Sequence, residues 1–173
     1  MARYGKHGEQ TYRQNFNRKK KDCIDWLLLN LSLARRVLDM DGLLAIAIDP
    51  CYISKAGKKT PHIGRFWSGC AGAVKHGLEI MGIGLLDVVN NKCMMLRAHQ
   101  TIGNSALKMR NKTLVEYYIS VMKRYSKKLL SITDIVVADA FFSTSTFEKG
   151  MSELGFYIVS RFRDNACLHY IPK

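Results

Sequence analysis

Hydrophobic and polar positions follow different periods along the chain, and the changes of period mark the predicted elements. Up to Lys21 the chain is polar and basic, and apolar residues then recur at near-helical spacing, which predicts a helix over residues 22–38. An unbroken apolar run, Leu43–Ile48, follows and ends at Asp49-Pro50. Such a run is typical of a strand buried on both faces, and we expect Pro50 to end it because proline cannot donate to the ladder.

Downstream of this strand, the pattern predicts a loop and then a hairpin. Residues 50–77 are rich in glycine, lysine and aromatic residues and have little periodicity, so we expect a long loop, or a loop with one short extended piece. Leu78–Val89 and Cys93–Ala98 are predicted strands. Asn90-Asn91 joins them, and asparagine tolerates the positive φ of a tight hairpin turn.

Two capping-box patterns mark the starts of two further helices. Thr113 with Glu116 opens the first, and Ser145 with Glu148 opens a shorter one that stops at Gly155. The apolar face of the first helix consists of Leu114, Tyr118, Val121, Tyr125 and Leu129. The predicted strands in this half of the chain are Ile135–Ala138, which ends at Asp139, and Phe156–Ser160.

The order of these elements predicts the fold class. A strand, a hairpin and then alternating helices and strands are typical of an α/β fold with a mixed sheet and helices on its faces. This succession is that of the first part of a ribonuclease-H-like fold. Residues 1–40 form a predicted basic and helical N-terminal segment, and residues 41–173 form the predicted core.

The charge of the chain points to a polyanionic partner. The 173 residues carry a formal net charge of +13, and such an excess of lysine and arginine attracts nucleic acid, although a merely basic, solvated surface is the alternative. The five cysteines are scattered without a Cys-x-x-Cys pair, which favours reduced, cytosolic thiols over a zinc or redox module. The apolar run at residues 26–29 is far too short to span a bilayer, so we expect a soluble cytoplasmic protein without a membrane partner.

Two aspartates stand in the same local context. Asp49 and Asp139 each follow a short, almost wholly apolar strand. If the two strands are parallel neighbours, both carboxylates emerge at the same end of the sheet. A cation between them would relieve their repulsion, and hard oxygen ligands suit Mg²⁺ or Mn²⁺. The alternative is that each aspartate only forms a turn, which explains either one taken singly.

The predicted loop adds groups that could hold DNA. Basic side chains neutralise phosphates and aromatic rings stack on unpaired bases, and the candidates of these two kinds are Lys55, Lys58, Lys59, Arg65, Trp67 and Lys75. Alternatively, Phe66 and Trp67 anchor the loop to the core while the lysines stay solvated. Arg161 and Arg163, just past the last predicted strand, are candidate DNA phosphate ligands or partners of acids.

Several blocks of the chain resemble a family of bacterial insertion-sequence transposases, the DDE (Asp-Asp-Glu) superfamily endonucleases. The first catalytic block of that family is similar to AIDP (47–50), ISKAGK (53–58) and FWSGCAG (66–72). The second block is similar to VADAFFS (137–143), and the segment after it to SRFRDNA (160–166). The stretch that precedes the core is similar to RYG (3–5) and EQTYR (9–13).

The resemblance implies a ribonuclease-H-like core for DNA transposition and recombination, with transposon ends and target DNA as partners. It assigns Asp49 and Asp139 as the first and second catalytic and metal-binding acids, with Mg²⁺ or Mn²⁺ as the cofactor. The family's third acid is a Glu on a later helix, which this comparison places beyond Lys173. We therefore expect a fold that is incomplete at its C-terminus, a two-metal site only in a complete enzyme, and little or no activity from this chain alone.

Other interpretations remain open. A DNA-binding module without catalysis, associating with itself or with an intact transposase, would show a salt-dependent DNA affinity that Asp49→Asn leaves unchanged. A remnant with an incomplete fold would expose apolar sheet surface and melt without cooperativity.

Overall fold

Helices and strands follow one another much as the hydrophobic pattern predicts. The computed structural model describes residues 8–11, 14, 24–57 and 59–166. From residue 24 onward, the helices are α1 (Trp26–Ala34), α2 (Asn104–Met109), α3 (Leu114–Leu129) and α4 (Ser145–Glu153). The strands are β1 (Leu44–Ser54), β2 (Gly64–Ser68), β3 (Ala73–Asp87), β4 (Lys92–Gln100), β5 (Ile135–Ala138) and β6 (Tyr157–Val159). Single 3₁₀ turns lie at Gly69–Ala71 and Ala140–Phe142.

The strands of the described chain form one mixed sheet. Its order is β2-β3-β1-β5-β6, and β4 also pairs with β3. β1 and β3 are antiparallel along the whole of β1, from Leu44 opposite Asp87 to Ser54 opposite Gly77. β5 lies parallel to both β1 and β6. The predicted α/β class, with a mixed sheet and flanking helices, is confirmed.

One face of this sheet carries the hydrophobic core. Every second residue of β3 from Gly77 to Asp87 is buried, which is the period of a strand with one covered face. Helices α1, α3 and α4 contribute to the same core the side chains of Leu27, Leu31, Tyr118, Met122, Phe147 and Met151. Helix α1 thus packs into the same core as the sheet, although we predicted that it belongs to a separate segment ending at residue 40.

Apolar surface is exposed on the other face of the sheet. Met95, Tyr157 and Val159 are each more than half exposed there. A Cβ added at Gly82 would lie 3.2 Å from the Met95 Cε, so the Met95 side chain covers Gly82 on that face. None of the helices in the described ranges is long and apolar enough to cross a membrane.

β1 continues past the end that the sequence predicts. Pro50 stands opposite Met81 in the ladder, and the strand runs on to Ser54, so the prediction that Pro50 ends it is wrong. The pairing with β5 covers only Ile46–Ile48. Pro50 therefore lies where β1 has a paired strand on one side only, a position at which a missing N–H is tolerated. The predicted loop is shorter than expected because β2 and the start of β3 occupy part of residues 50–77.

The predicted turn between β3 and β4 is confirmed, with a φ of 52° at Asn91. Asp87, which is 1% exposed, builds it by accepting hydrogen bonds from the backbone N–H and the side-chain amide of Asn90. The same carboxylate accepts the backbone N–H of Asp39 at 3.0 Å. These hydrogen bonds, led by that from Asp39, hold the pKa of Asp87 below its ordinary value, although burial acts in the opposite direction. The turn is thereby tied to the chain that enters β1.

The capping box at Thr113 is confirmed, whereas the one predicted at Ser145 is wrong. The N-cap of α4 is Thr144, whose Oγ1 accepts the Phe147 N–H at 3.3 Å. Phe147 is fully buried in the core, and its burial fixes where this helix sits along the sequence. Gly155 follows α4 with a φ of 90°, as its place after the helix predicts.

Replacing each of two adjacent hydroxyl-bearing residues with alanine tests whether Thr144, and not Ser145, caps α4. Thr144→Ala removes the cap and should lower the free energy of unfolding by about 1 kcal/mol. Ser145→Ala is the matched control and should change it by less than about 0.5 kcal/mol, because Ser145 is exposed and caps nothing. Urea denaturation of both variants measures the difference, and a larger loss from Ser145→Ala would contradict the observed cap.

Candidate active site

Asp49 and Asp139 occupy matched positions because β1 and β5 are parallel neighbours, which is the condition under which the sequence places both carboxylates at one end of the sheet. The last pair in this ladder is Ile48 with Ala138, and each aspartate is the next residue in its chain segment. Neighbouring strands lie about 4.8 Å apart, so the two backbones are close enough for both carboxylates to reach one ion. Both residues line a cavity of about 540 Å³ at this end of the sheet.

Each aspartate has one oxygen engaged locally. Asp139 caps the 3₁₀ turn, and its Oδ1 accepts the Phe141 N–H at 3.1 Å. Asp49 Oδ2 accepts the Cys51 thiol at 3.6 Å, and burial together with this carboxylate raises the pKa of Cys51 above its ordinary value. Within the described residues, the other oxygens, Asp49 Oδ1 and Asp139 Oδ2, accept no hydrogen bond. The hydrogen bond that forms the turn at Asp139 therefore leaves the second carboxylate oxygen free to bind a ligand.

A buried acid and a tyrosine form part of the cavity wall. Glu79 on β3 is 7% exposed, and its Oε1 accepts a hydrogen bond from the Tyr118 hydroxyl of α3. Burial, and then the neighbouring Glu79, raise the pKa of Tyr118 far above its ordinary value. The phenol therefore remains protonated at neutral pH and serves as a donor to the Glu79 carboxylate.

Strand β2 contributes basic and aromatic groups to the same cavity. Arg65 and Trp67 both line it and are exposed. Trp67 is 61% exposed, whereas Phe66 between them is 5% exposed. Successive residues of a strand point to opposite faces, which explains this difference. Phe66 is thus buried and Trp67 is exposed, and both line the cavity.

Three of the four predicted lysine contacts lie on the surface of the described chain. Lys55, Lys59 and Lys75 are exposed and are not among the residues that line the cavity. Lys75 stands opposite Phe66 in the β2–β3 ladder. Lys58 lies outside the described residues.

Arg161 and Arg163 line a second recess, of about 430 Å³, together with Ala140 and Phe141, the two residues that follow Asp139. Arg161 is exposed and Arg163 is half-buried. The Arg163 Nε donates to the Ala140 carbonyl at 2.9 Å, and its Nη2 donates to the Phe141 carbonyl. The hydrogen bonds of Arg163 thus go to backbone carbonyls, and not to an acid as one sequence-based alternative held.

Glu79 is a residue of the site that was not predicted from the sequence, and Tyr118 was predicted only as part of an apolar helix face. A signal for Glu79 does exist. It stands in phase with Met81, Ile83 and Leu85, so alternation places it on the same face as those apolar residues. An acid at a core-facing position is rare enough to mark a site.

The oxygen ligands at this end of the sheet fit a hard divalent cation. Mg²⁺ commonly binds proteins through one or two carboxylates, with waters and substrate phosphates as its remaining ligands. Asp49 and Asp139 provide such a pair. Across the described residues, no group of three or more His, Cys, Asp or Glu side chains is placed to hold a metal ion. The two carboxylates therefore suit one divalent cation whose remaining ligands are waters or substrate phosphates.

Comparisons with known proteins do not identify the chain: no protein-family model, no curated protein and no solved structure matches it. The likeness to a family consequently rests on the sequence blocks around the two aspartates. The placement of Asp49 and Asp139 beside one cavity is an observation that does not depend on those blocks.

The Glu79–Tyr118 hydrogen bond can be tested by removing one hydroxyl group. Tyr118→Phe leaves a buried carboxylate without its donor and should lower the free energy of unfolding by about 1–3 kcal/mol. Tyr125→Phe on the same helix is the matched control, because the Tyr125 hydroxyl makes no hydrogen bond in the described part of the chain. The double variant Glu79→Leu/Tyr118→Phe should recover most of the loss, since both polar partners are gone. Equal effects of the two tyrosine variants in urea denaturation would contradict the assignment.

Proposed function

We propose that this chain is part of the ribonuclease-H-like core of a DDE transposase, and that the complete enzyme cuts and joins DNA strands with Mg²⁺ or Mn²⁺. The observation that carries the proposal is the parallel pairing of β1 with β5, which brings Asp49 and Asp139 to one cavity. These are the two residues that the transposase-like blocks mark as catalytic acids. The mixed sheet, in which β3 is the antiparallel neighbour of β1 and β4 while β5 and β6 are parallel, supports the fold assignment.

In this proposal, Asp49 Oδ1 and Asp139 Oδ2 hold the cation, because they are the oxygens that no local hydrogen bond engages. When bound, Mg²⁺ or Mn²⁺ activates a water or a DNA 3′-hydroxyl and stabilises the leaving oxygen of the phosphodiester. The protein's own part is to fix the two carboxylates at one end of a rigid sheet. In the family that the motifs resemble, a Glu on a later helix completes the set of acids.

The groups around the cavity suit a DNA substrate. Arg65 is placed to neutralise a phosphate, and the exposed ring of Trp67 is placed to stack on an unpaired base. Lys55, Lys59 and Lys75 extend the positive surface outside the cavity. The net charge of +13 adds long-range attraction for the DNA backbone.

A DNA-binding module without catalysis is the second candidate function. It is favoured by the lack, in the described ranges, of three ligating side chains placed to hold a metal ion. Such a module, acting alone or with an intact transposase, would bind DNA in a salt-dependent manner. Its DNA affinity would not respond to Mn²⁺ or to Asp49→Asn, whereas that of the metal-dependent core would respond to both.

Binding of Mn²⁺ to the purified chain tests the proposed site without requiring turnover. Electron paramagnetic resonance of free Mn²⁺ gives its dissociation constant, and we expect Asp49→Asn and Asp139→Asn each to weaken binding by at least about 10-fold. Asp41→Asn is the matched control, since it makes the same charge change at an exposed acid ahead of β1. Binding that survives both site substitutions, or that Asp41→Asn weakens equally, would contradict the proposal.

A further inference from the structure

The segment after β6 is hydrogen-bonded to the turn that Asp139 begins. Ser160 Oγ donates to the Asp139 carbonyl at 2.9 Å. Arg163 then donates through Nε to the Ala140 carbonyl at 2.9 Å and through Nη2 to the Phe141 carbonyl. Three successive carbonyls of the turn therefore accept hydrogen bonds from one short segment.

A guanidinium group is well suited to this contact. Its nitrogens form a rigid planar fork, so two of them can reach two carbonyls at once, which the single ammonium group of lysine does less well. The Arg163 guanidinium carbon also lies over the Phe141 ring, 5.7 Å from its centre. Arg163 is thus held by both the backbone and the side chain of the turn.

A single peptide unit links Arg163 to the Asp139 carboxylate. The carbonyl of Ala140 and the N–H of Phe141 belong to the same planar peptide group. Arg163 Nε donates to the carbonyl, and the N–H donates to Asp139 Oδ1 at 3.1 Å. Fixing the carbonyl therefore fixes the direction of the N–H, and the N–H sets the orientation of the carboxylate.

We propose that Arg163 is a positioning residue for Asp139, which turns the free carboxylate oxygen toward a bound divalent cation through the Ala140–Phe141 peptide. This role rests on the proposed function and deepens it. It also differs from the phosphate contact that the sequence analysis predicted for Arg163. Partners that orient metal ligands in this way commonly change metal affinity when they are substituted.

Arg161 provides a matched control within the same recess. It stands two positions before Arg163, carries the same charge and is exposed. No side-chain hydrogen bond joins Arg161 to the turn in the described chain, whereas Arg163 makes two. Replacing either arginine with glutamine changes the local charge equally, but only Arg163→Gln removes the hydrogen bonds to the turn.

The experiment measures Mn²⁺ dissociation constants of the full chain and of Arg163→Gln, Arg163→Lys and Arg161→Gln. We expect Arg163→Gln to weaken Mn²⁺ binding by about 10-fold, Arg163→Lys to give an intermediate value, and Arg161→Gln to match the wild type. Hydrogen exchange of the Phe141 amide is the second readout. It should accelerate in Arg163→Gln and remain unchanged in Arg161→Gln, and the melting temperature of each variant shows whether the fold is kept.

The outcomes separate this inference from the proposed function. Wild-type Mn²⁺ binding that Asp49→Asn does not weaken would overturn the proposed metal site itself. If Asp49→Asn weakens binding but Arg163→Gln does not, or if Arg161→Gln weakens it equally, only the positioning role is overturned. If Arg163→Gln does not fold, Arg163→Lys decides, because wild-type affinity and wild-type Phe141 exchange in that variant would also overturn the role.

Discussion

Three residue pairs join β1 to β5, namely Ile46 with Val136, Ala47 with Val137 and Ile48 with Ala138, and the positions of both aspartates follow from them. Ile46 and Val136 are fully buried, so the core holds this register. A slip of one residue would turn the side chains of one strand to the opposite face of the sheet. The two carboxylates would then no longer meet. The candidate site therefore depends on hydrophobic packing beneath it as much as on its own polar groups.

Two sets of hydrogen bonds hold the elements that lie beside β1 and β5. On one side, the segment after β6 holds the turn that Asp139 caps, through Ser160 and Arg163. On the other side, Glu79 and Tyr118 join β3 to α3 within the cavity wall. The Glu79–Tyr118 hydrogen bond is buried and the Arg163–Ala140 hydrogen bond is partly buried. Hydrogen bonds shielded from water are stronger, and an unpaired group there is costly. If the proposed metal site is right, the hydrogen bonds from Ser160 and Arg163 orient Asp139 before any ligand arrives, as preorganisation of such a site requires.

The sequence predicts those parts of this structure that depend on local chemistry. The bounds of β5 and the place of Asp139 follow from an apolar run with polar residues on either side, and α3 follows from Thr113 and Glu116. The continuation of β1 through Pro50 could not be predicted, because it depends on where β5 stops pairing. The cap at Thr144 depends on the burial of Phe147, and the contact of Arg163 depends on β6 lying beside β5. Each of these features is decided by neighbours that are distant in the sequence. The proposal of a transposase family rests on the sequence blocks around Asp49 and Asp139.

Anomalous diffraction from crystals of the chain grown with Mn²⁺ would test the central claim most directly, because it locates the cation itself. The proposed site predicts a peak within coordination distance, about 2.2 Å, of Asp49 Oδ1 and Asp139 Oδ2, and the loss of that peak in Asp139→Asn. A chain that takes up Mn²⁺ only elsewhere, or that leaves both carboxylates unligated at saturating Mn²⁺, would contradict it.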